Sequence, residues 1–259
     1  MNFIVPFGLL LAFFSLIIGF TLEGGSISAL IAPSAAIIVF GGTFGATIVA
    51  YSFNEVKNIP NLLKMVLVKK IPPYHEAIDQ IVELSDKARR EGLLYIDNQL
   101  DQIDDPFLRK AMQLVVDGTD PEMVRNILET EMYSAHERHE VGASIFESAG
   151  GYSPTLGIIG TVMGLVHVLG SISDPDSLGP AIAMAFAACL YGVAAANIFF
   201  FPVAHRLQNL SKQELVLKEL QIEGVLSLQA GYNPMLIRER LNAFLRHSNL
   251  QRRADEEEE

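Results

Sequence analysis

Residues 151–204 read GYSPTLGIIGTVMGLVHVLGSISDPDSLGPAIAMAFAACLYGVAAANIFFFPVA, and this stretch decides the fold. Two apolar runs flank a short acidic turn at Asp174 and Asp176. A helix crosses a bilayer with about 20 consecutive apolar residues, and each run reaches that length. Both runs are rich in Gly and Ala, which lets helices approach closely. The stretch therefore reads as a pair of membrane helices lining a shared interior.

Two more uncharged runs precede it. Residues 3–22 contain no charge and can span. No Lys or Arg precedes this run and no small-x-small cleavage site follows, so it reads as a retained helix rather than a signal peptide. Glu23, Gly24, Gly25 and Ser26 make a short link. Residues 27–53 form the second span, with Pro33 tolerable in a first helical turn. Gly41, Gly42 and Gly45 give this span a smooth face for helix contact.

The totals fit segregation of charge from apolar runs. The chain has 259 residues, half of them hydrophobic, yet 19% are charged. A single Cys excludes an internal disulfide and any Cys-cluster metal site. A formal net charge of −11 disfavours nucleic acid as a partner. Eleven of the 19 Lys and Arg residues lie between positions 55 and 147, and the other eight lie between Arg206 and Arg253. The positive-inside rule then places both termini and the 55–147 segment in the cytoplasm, with the two short links outside.

The expected fold is an all-α integral membrane protein of four transmembrane helices. A large cytoplasmic helical domain lies between spans two and three, and a cytoplasmic helical segment follows span four. The expected division is 1–53 for spans one and two, 54–147 for the cytoplasmic domain, 148–204 for spans three and four, and 205–259 for the C-terminal helices and acidic tail. Within the domain, Tyr74–Arg90 carries apolar residues at helical spacing, and Gly92 interrupts. Leu93–Leu100 and Phe107–Asp117 follow as further helices. Asp120 and Pro121 restart the chain as cap and first helical residue of a long charged helix leading to the membrane. After Pro202 a charged helix continues to Ala230, Gly231 stops it, and Asn233-Pro234 opens a helix from Met235 to Arg246. The run of acids from Asp255 to Glu259 reads as a disordered tail.

His136, His139 and Glu140 form an HxxHE stretch. Zinc helices favour two His four apart with a third ligand, so a solvated charged face is the better reading here. No nucleophile–base pair or phosphate loop appears, and no enzymatic activity, cofactor or resident metal is expected.

The spans contain no Asp, Glu, Lys or Arg in their interiors. Ion pathways usually mark themselves with an ionisable residue in the bilayer. His167 reads as a helix-helix hydrogen-bonder or interface residue. If the chain moves ions, another chain supplies the carboxylate. Small polar residues remain: Thr155 and Thr161 on the third span, and Cys189, Tyr191 and Asn197 on the fourth. Gly157, Gly160 and Gly164 include a GxxxG pair. Pro154 and Pro202 sit at the inner ends of the two spans, where each frees a carbonyl and allows a bend; they read as a hinge or gate.

The stretch from Ser153 to Val193, with NIFFFPVAHRL after it, resembles the last two spans of the MotA/PomA family, the larger subunits of the bacterial flagellar stator. The resemblance extends through KARREGLL (87–94), LVVDGTD (114–120), ERHEVGASIFESAG (137–150) and EGVLSLQAGYNP (223–234). It implies a pentameric ring around a dimer of a MotB- or PomB-type partner that carries a transmembrane Asp. The small residues of 151–204 then read as room for that partner's helices inside the ring. Ion flow through that interface would turn the ring against the rotor protein FliG, in the bacterial inner membrane. Alignment on Gly92 puts the family's rotor-contact charges on Arg89 and Asp97, with Arg90 and Glu91 adjacent. The family's prolines fall on Pro154 and Pro202 and its pore threonine on Thr161. Where sodium-driven relatives carry oxygen ligands, this chain has Cys189 and Ala32, and Ser34 stands for a Thr. Hard cations prefer oxygen, so the resemblance favours protons, with sodium or a divalent cation as alternatives. The alternative functions are an ExbB- or TolQ-like energiser of envelope transport, whose chains typically have three spans and an outward N-terminus, and a passive membrane scaffold.

Overall fold

The computed structural model describes residues 4–170 and 175–258, with side chains for 5–170 and 178–246. Asp174 and the side chain of Asp176 therefore lie outside the described residues. The described chain is helical, with four helical stretches long and apolar enough to cross a membrane. It divides into two units, residues 1–70 with 139–209 and residues 71–138 with 210–259.

In the first unit, α1 (Ile4–Leu22) is the first span. The second span is not the single helix that its composition suggests. A short 3-10 turn (Ile27–Leu30) is followed by non-helical backbone at Ile31 and Ala32, and α2 starts at Pro33 (Pro33–Ala36). The cause is local: the ring of Pro33 clashes with helical backbone at the preceding residue, so Ala32 adopts φ −124° and ψ 87°. A widened π turn (Ile37–Gly41) leads into α3 (Gly42–Ala50). The chain leaves helical conformation at Tyr51 and re-enters it in α4 (Phe53–Lys57) and α5 (Ile59–Val68).

The third span is the second part of α9 (Pro121–Gly170), a helix of 50 residues that continues through Pro154. The fourth is α10 (Pro175–Ala194) extended by a π turn (Ala195–Phe200), and α11 (Phe201–Gln229) continues from it. Pro202 cannot donate a backbone hydrogen bond and its ring crowds the preceding turn. The widened turn just before it relieves that crowding.

The second unit is a water-type helical domain. It holds α6 (Tyr74–Glu91), α7 (Leu93–Asp97), α8 (Pro106–Val116), the start of α9, the end of α11, and α12 (Pro234–Glu258). Ile78, Ile81, Leu108, Met112, Leu128 and Leu220 are among the side chains buried at its centre. The apolar positions of α11 from Leu217 to Leu228 are buried in this core, packed on the chain's own helices. Asp105 caps α8, its carboxylate accepting from the backbone of Phe107 at 2.9 Å. The helix expected over Leu93–Leu100 stops at Asp97, and a 3-10 turn from Leu100 to Gln102 replaces its end. The acidic tail is a second departure: α12 runs through Glu258, where the charge pattern suggests disorder.

Candidate functional site

Spans three and four meet through residues with almost no side chain. A methyl group placed on Gly192 would come within 2.5 Å of the Ser153 carbonyl oxygen and 3.1 Å of the Cα of Pro154. One on Gly157 would meet the Ala188 carbonyl at 2.8 Å, and one on Gly164 the Ala185 side chain at 2.6 Å. The small residues are thus spent on packing span three against span four of the same chain. Outward from this seam, Ile158, Val162 and Val166 expose their side chains.

Thr161 lies in the seam. Its hydroxyl proton is shared between the Gly157 carbonyl of its own helix and the Ala185 carbonyl of the fourth span, each at 3.0 Å. The oxygen lone pairs remain available as acceptors. Cys189 is one turn beyond Ala185 and is a half-buried free thiol. These two candidates therefore belong to one contact between spans. Ser153 joins them: it is fully buried and donates to the Gly192 carbonyl at 3.1 Å. Sequence reasoning passes over Ser153, although it precedes Pro154 and shares the face of Gly157 and Gly160 at helical spacing.

Tyr191 and Ser34 form a second group, at the break of the second span. The Tyr191 hydroxyl donates to the Leu30 carbonyl and accepts from the Ala32 amide at 3.0 Å. Its ring stacks on Phe40, with centroids 6.2 Å apart. A helix interrupted at Ile31 and Ala32 leaves backbone groups without intrahelical partners, and this phenol supplies them. The Ser34 hydroxyl is exposed and points to the Met184 sulfur at 3.3 Å. Ala32 itself is buried. Thr155 stays apart from both groups: it is exposed and donates to the Tyr152 carbonyl of its own helix at 2.7 Å.

Pro154 is half-buried beside Gly192, whereas Pro202 is exposed after the widened turn. His136 turns its Nδ1 to the Ser211 hydroxyl at 2.8 Å.

Arg89, Arg90, Glu91 and Asp97 belong to the second unit and gather around one corner. Gly92, with φ 87° and ψ 167°, joins α6 to α7 in a backbone conformation open only to glycine. All four charged side chains are exposed. Arg90 pairs with Asp86 at 2.9 Å, and Arg89 and Asp97 have no ion-pair partner among the described residues. A neighbouring pair, Lys87 and Glu83 at 2.7 Å, holds the lysine above its usual pKa through that hydrogen bond.

Taken together, these features define a polytopic helical membrane protein whose uncharged spans interlock through glycine and alanine, with a separate helical unit bearing an exposed charged corner. Residues 99–219 match the MotA/TolQ/ExbB proton channel family, and residues 6–92 match the motility protein A N-terminal region. Motility protein A of Bacillus subtilis (strain 168) is 39% identical over 239 residues, covering 92% of this chain and 88% of its own. Chemotaxis protein PomA of Vibrio alginolyticus is 32% identical over 232 residues, covering 90% of this chain and 91% of its own. The solved flagellar MotAB stator complex from Bacillus subtilis has a chain that matches with a TM-score of 0.88 at 38% identity, over 96% of this chain and 98% of that one. The chain belongs to the MotA/TolQ/ExbB proton channel family, and it is an inner-membrane protein.

Proposed function

We propose that the chain is the ring-forming stator subunit of a bacterial flagellar motor. It assembles as a pentamer around a dimer of a MotB-type partner, and ion flow at their interface turns the ring against the rotor protein FliG. The observation that carries this is the absence of Asp, Glu, Lys and Arg from four spans in a chain similar to motility protein A over 92% of its length. A channel-family chain without its own intramembrane carboxylate needs one from elsewhere, and its solved structural relative from Bacillus subtilis is a two-component MotAB complex. The match of residues 6–92 to the motility protein A N-terminal region favours this over an ExbB- or TolQ-like energiser.

Within that frame, both termini lie in the cytoplasm, since all 19 Lys and Arg residues fall outside the 21–28 and 171–178 links. Residues 54–147 form the rotor-contacting domain, 148–204 line the ion path, and 205–259 close the cytoplasmic side. Arg89, Arg90, Glu91 and Asp97 present opposite charges around the Gly92 corner, which suits a reversible, steerable contact. Pro154 and Pro202 are the hinge positions. Thr161 offers lone pairs toward the ion path, whereas Cys189 offers sulfur, Ala32 offers no ligand and the Ser34 hydroxyl is directed at sulfur. That set is poor in oxygen for a hard cation, so the transported ion is the proton.

Swimming speed against external sodium at constant pH tests the ion. Speed independent of sodium is expected, and speed that rises with sodium overturns the proton assignment. Charge reversal tests the rotor contact: Arg89→Glu and Asp97→Lys each weaken swimming while the amount of protein in the membrane stays unchanged. Normal swimming in both variants removes these residues from that role.

A further inference from the structure

Between the second span and the second unit lies a segment whose outer face the rotor contact at Arg89–Asp97 does not use, residues 53–70 (FNEVKNIPNLLKMVLVKK). It is held firmly on one side. The Tyr51 hydroxyl, just before it, donates to the Ser144 carbonyl at 2.7 Å and lies 2.8 Å from the Ser148 hydroxyl. Leu62 and Val66 of α5 are buried against Ala143, Phe146 and Ala149 of α9 and Val203, Ala204 and Leu207 of α11. Leu62 sits so close to Gly142 that a methyl group there would meet it at 2.9 Å. The inner face of α5 is thus fixed to the helices where they emerge from the third and fourth apolar spans.

The other side has a mixed chemistry. Lys57, Lys64 and Lys70 are exposed and have no ion-pair partner among the described residues. Phe53, Leu67 and Val68 are exposed among them, Phe53 at 77%. The acid in the segment, Glu55, is engaged locally: its carboxylate accepts from the Ser52 backbone at 2.7 Å, completing a capping box. In water this outer face would leave large apolar side chains uncovered. In the hydrocarbon core it would strand three ammonium groups. The headgroup level satisfies both, because lysine stems lie along apolar surface while their charges reach the phosphate layer. The exposed apolar surface is also continuous with the end of the second span, where Ile48 and Val49 are exposed.

We propose that residues 53–70 dock on anionic phospholipid headgroups, with Lys57, Lys64 and Lys70 facing the phosphates and Phe53, Leu67 and Val68 seated at the acyl boundary. The segment is then a lipid-reading collar that sets the depth of the chain in the bilayer. It takes anionic lipids rather than lipids in general because its cations are unpaired in a chain whose net charge is −11.

The full chain reconstituted in phosphatidylcholine nanodiscs doped with spin-labelled phosphatidylglycerol or spin-labelled phosphatidylcholine reads this directly. The wild-type chain prefers the anionic lipid several-fold. The triple variant Lys57→Gln, Lys64→Gln, Lys70→Gln falls to near parity, a loss of about threefold or more from removing three surface cations. The corresponding Arg variants keep the preference, which separates charge from fold. An undiminished preference in the Gln variant overturns the proposal. So does photo-cross-linking from position 64 that captures a second copy of the chain in place of lipid, because the face is then an interface between copies.

Discussion

The unit of residues 71–138 and 210–246 holds its helices together with Ile81, Met112, Leu128 and Leu220, all at 0% exposure, whereas spans three and four meet through Gly157, Gly164, Gly192, Ala185 and Ala188. Water explains the first arrangement. Large apolar side chains gain most by leaving it, so the domain interior fills with them. Lipid removes that incentive, because hydrocarbon tails are as apolar as leucine. What holds spans together there is close backbone approach and hydrogen bonds such as Thr161 to Ala185 and Ser153 to Gly192. Large side chains such as Ile158 and Val166 are consequently turned outward in the spans and inward in the domain.

The sharpest break of this comparison is to empty the domain core. Leu128→Ala removes a fully buried side chain from a cluster that includes Leu220 and Met112. A loss of about 2–5 kcal/mol is expected, measured by denaturant unfolding of the detergent-solubilised chain. The opposite operation belongs to the spans. Gly192→Ala adds one methyl group where the neighbours within reach are backbone atoms of Ser153, Pro154 and Gly157, none of which can rotate away. A cost of about 1–3 kcal/mol is expected, with loss of swimming. Gly45→Ala is the control: nothing lies within 4 Å of the added group, so the stability of the single chain should not fall.

Much of the domain was legible because its signals are local. Asp105-Pro106, Asp120-Pro121 and Gly231 mark helix ends at the positions where the helices change, since capping and proline geometry depend on a few neighbouring residues. The four apolar runs were equally plain. The site was less so. The glycines of the third span announced close packing, but periodicity cannot say which helix fills the gap. Tyr191 bonding to Leu30 and Ala32 joins positions 161 and 159 residues apart, and no local pattern carries such a pairing. The break at Ala32 was half legible: Pro33 restrains its predecessor, yet the uninterrupted apolar composition argued for one helix.

Helix ends give a smaller contrast. In the domain, Asp105 supplies α8 with its first hydrogen-bond acceptor and also accepts from Gln221 Nε2 at 2.6 Å, whereas α2 and α3 in the second span have no side-chain cap. Asp105→Ala should cost about 0.5–2 kcal/mol in the same unfolding measurement, with Asp105→Asn recovering most of it.

The smallest effect expected sits on an acid of the domain that burial disfavours. Glu219 on α11 is partly buried, and loss of hydration raises its pKa above 4.5, with the negative charge of Glu129 adding to the shift. The folded state therefore holds this proton more tightly than the unfolded state. Stability attributable to Glu219 is greatest while the group is protonated in both states, and it declines as pH rises from the ordinary carboxylate value through the raised one. At neutral pH the carboxylate is a burden on the fold. Glu219→Gln removes the charge and keeps the shape, so it should raise the melting temperature at pH 7 and change it less at pH 4. Equal shifts at both pH values would mean that the gain comes from packing rather than charge. No comparable test exists in the interiors of the spans, where the chain carries no carboxylate at all.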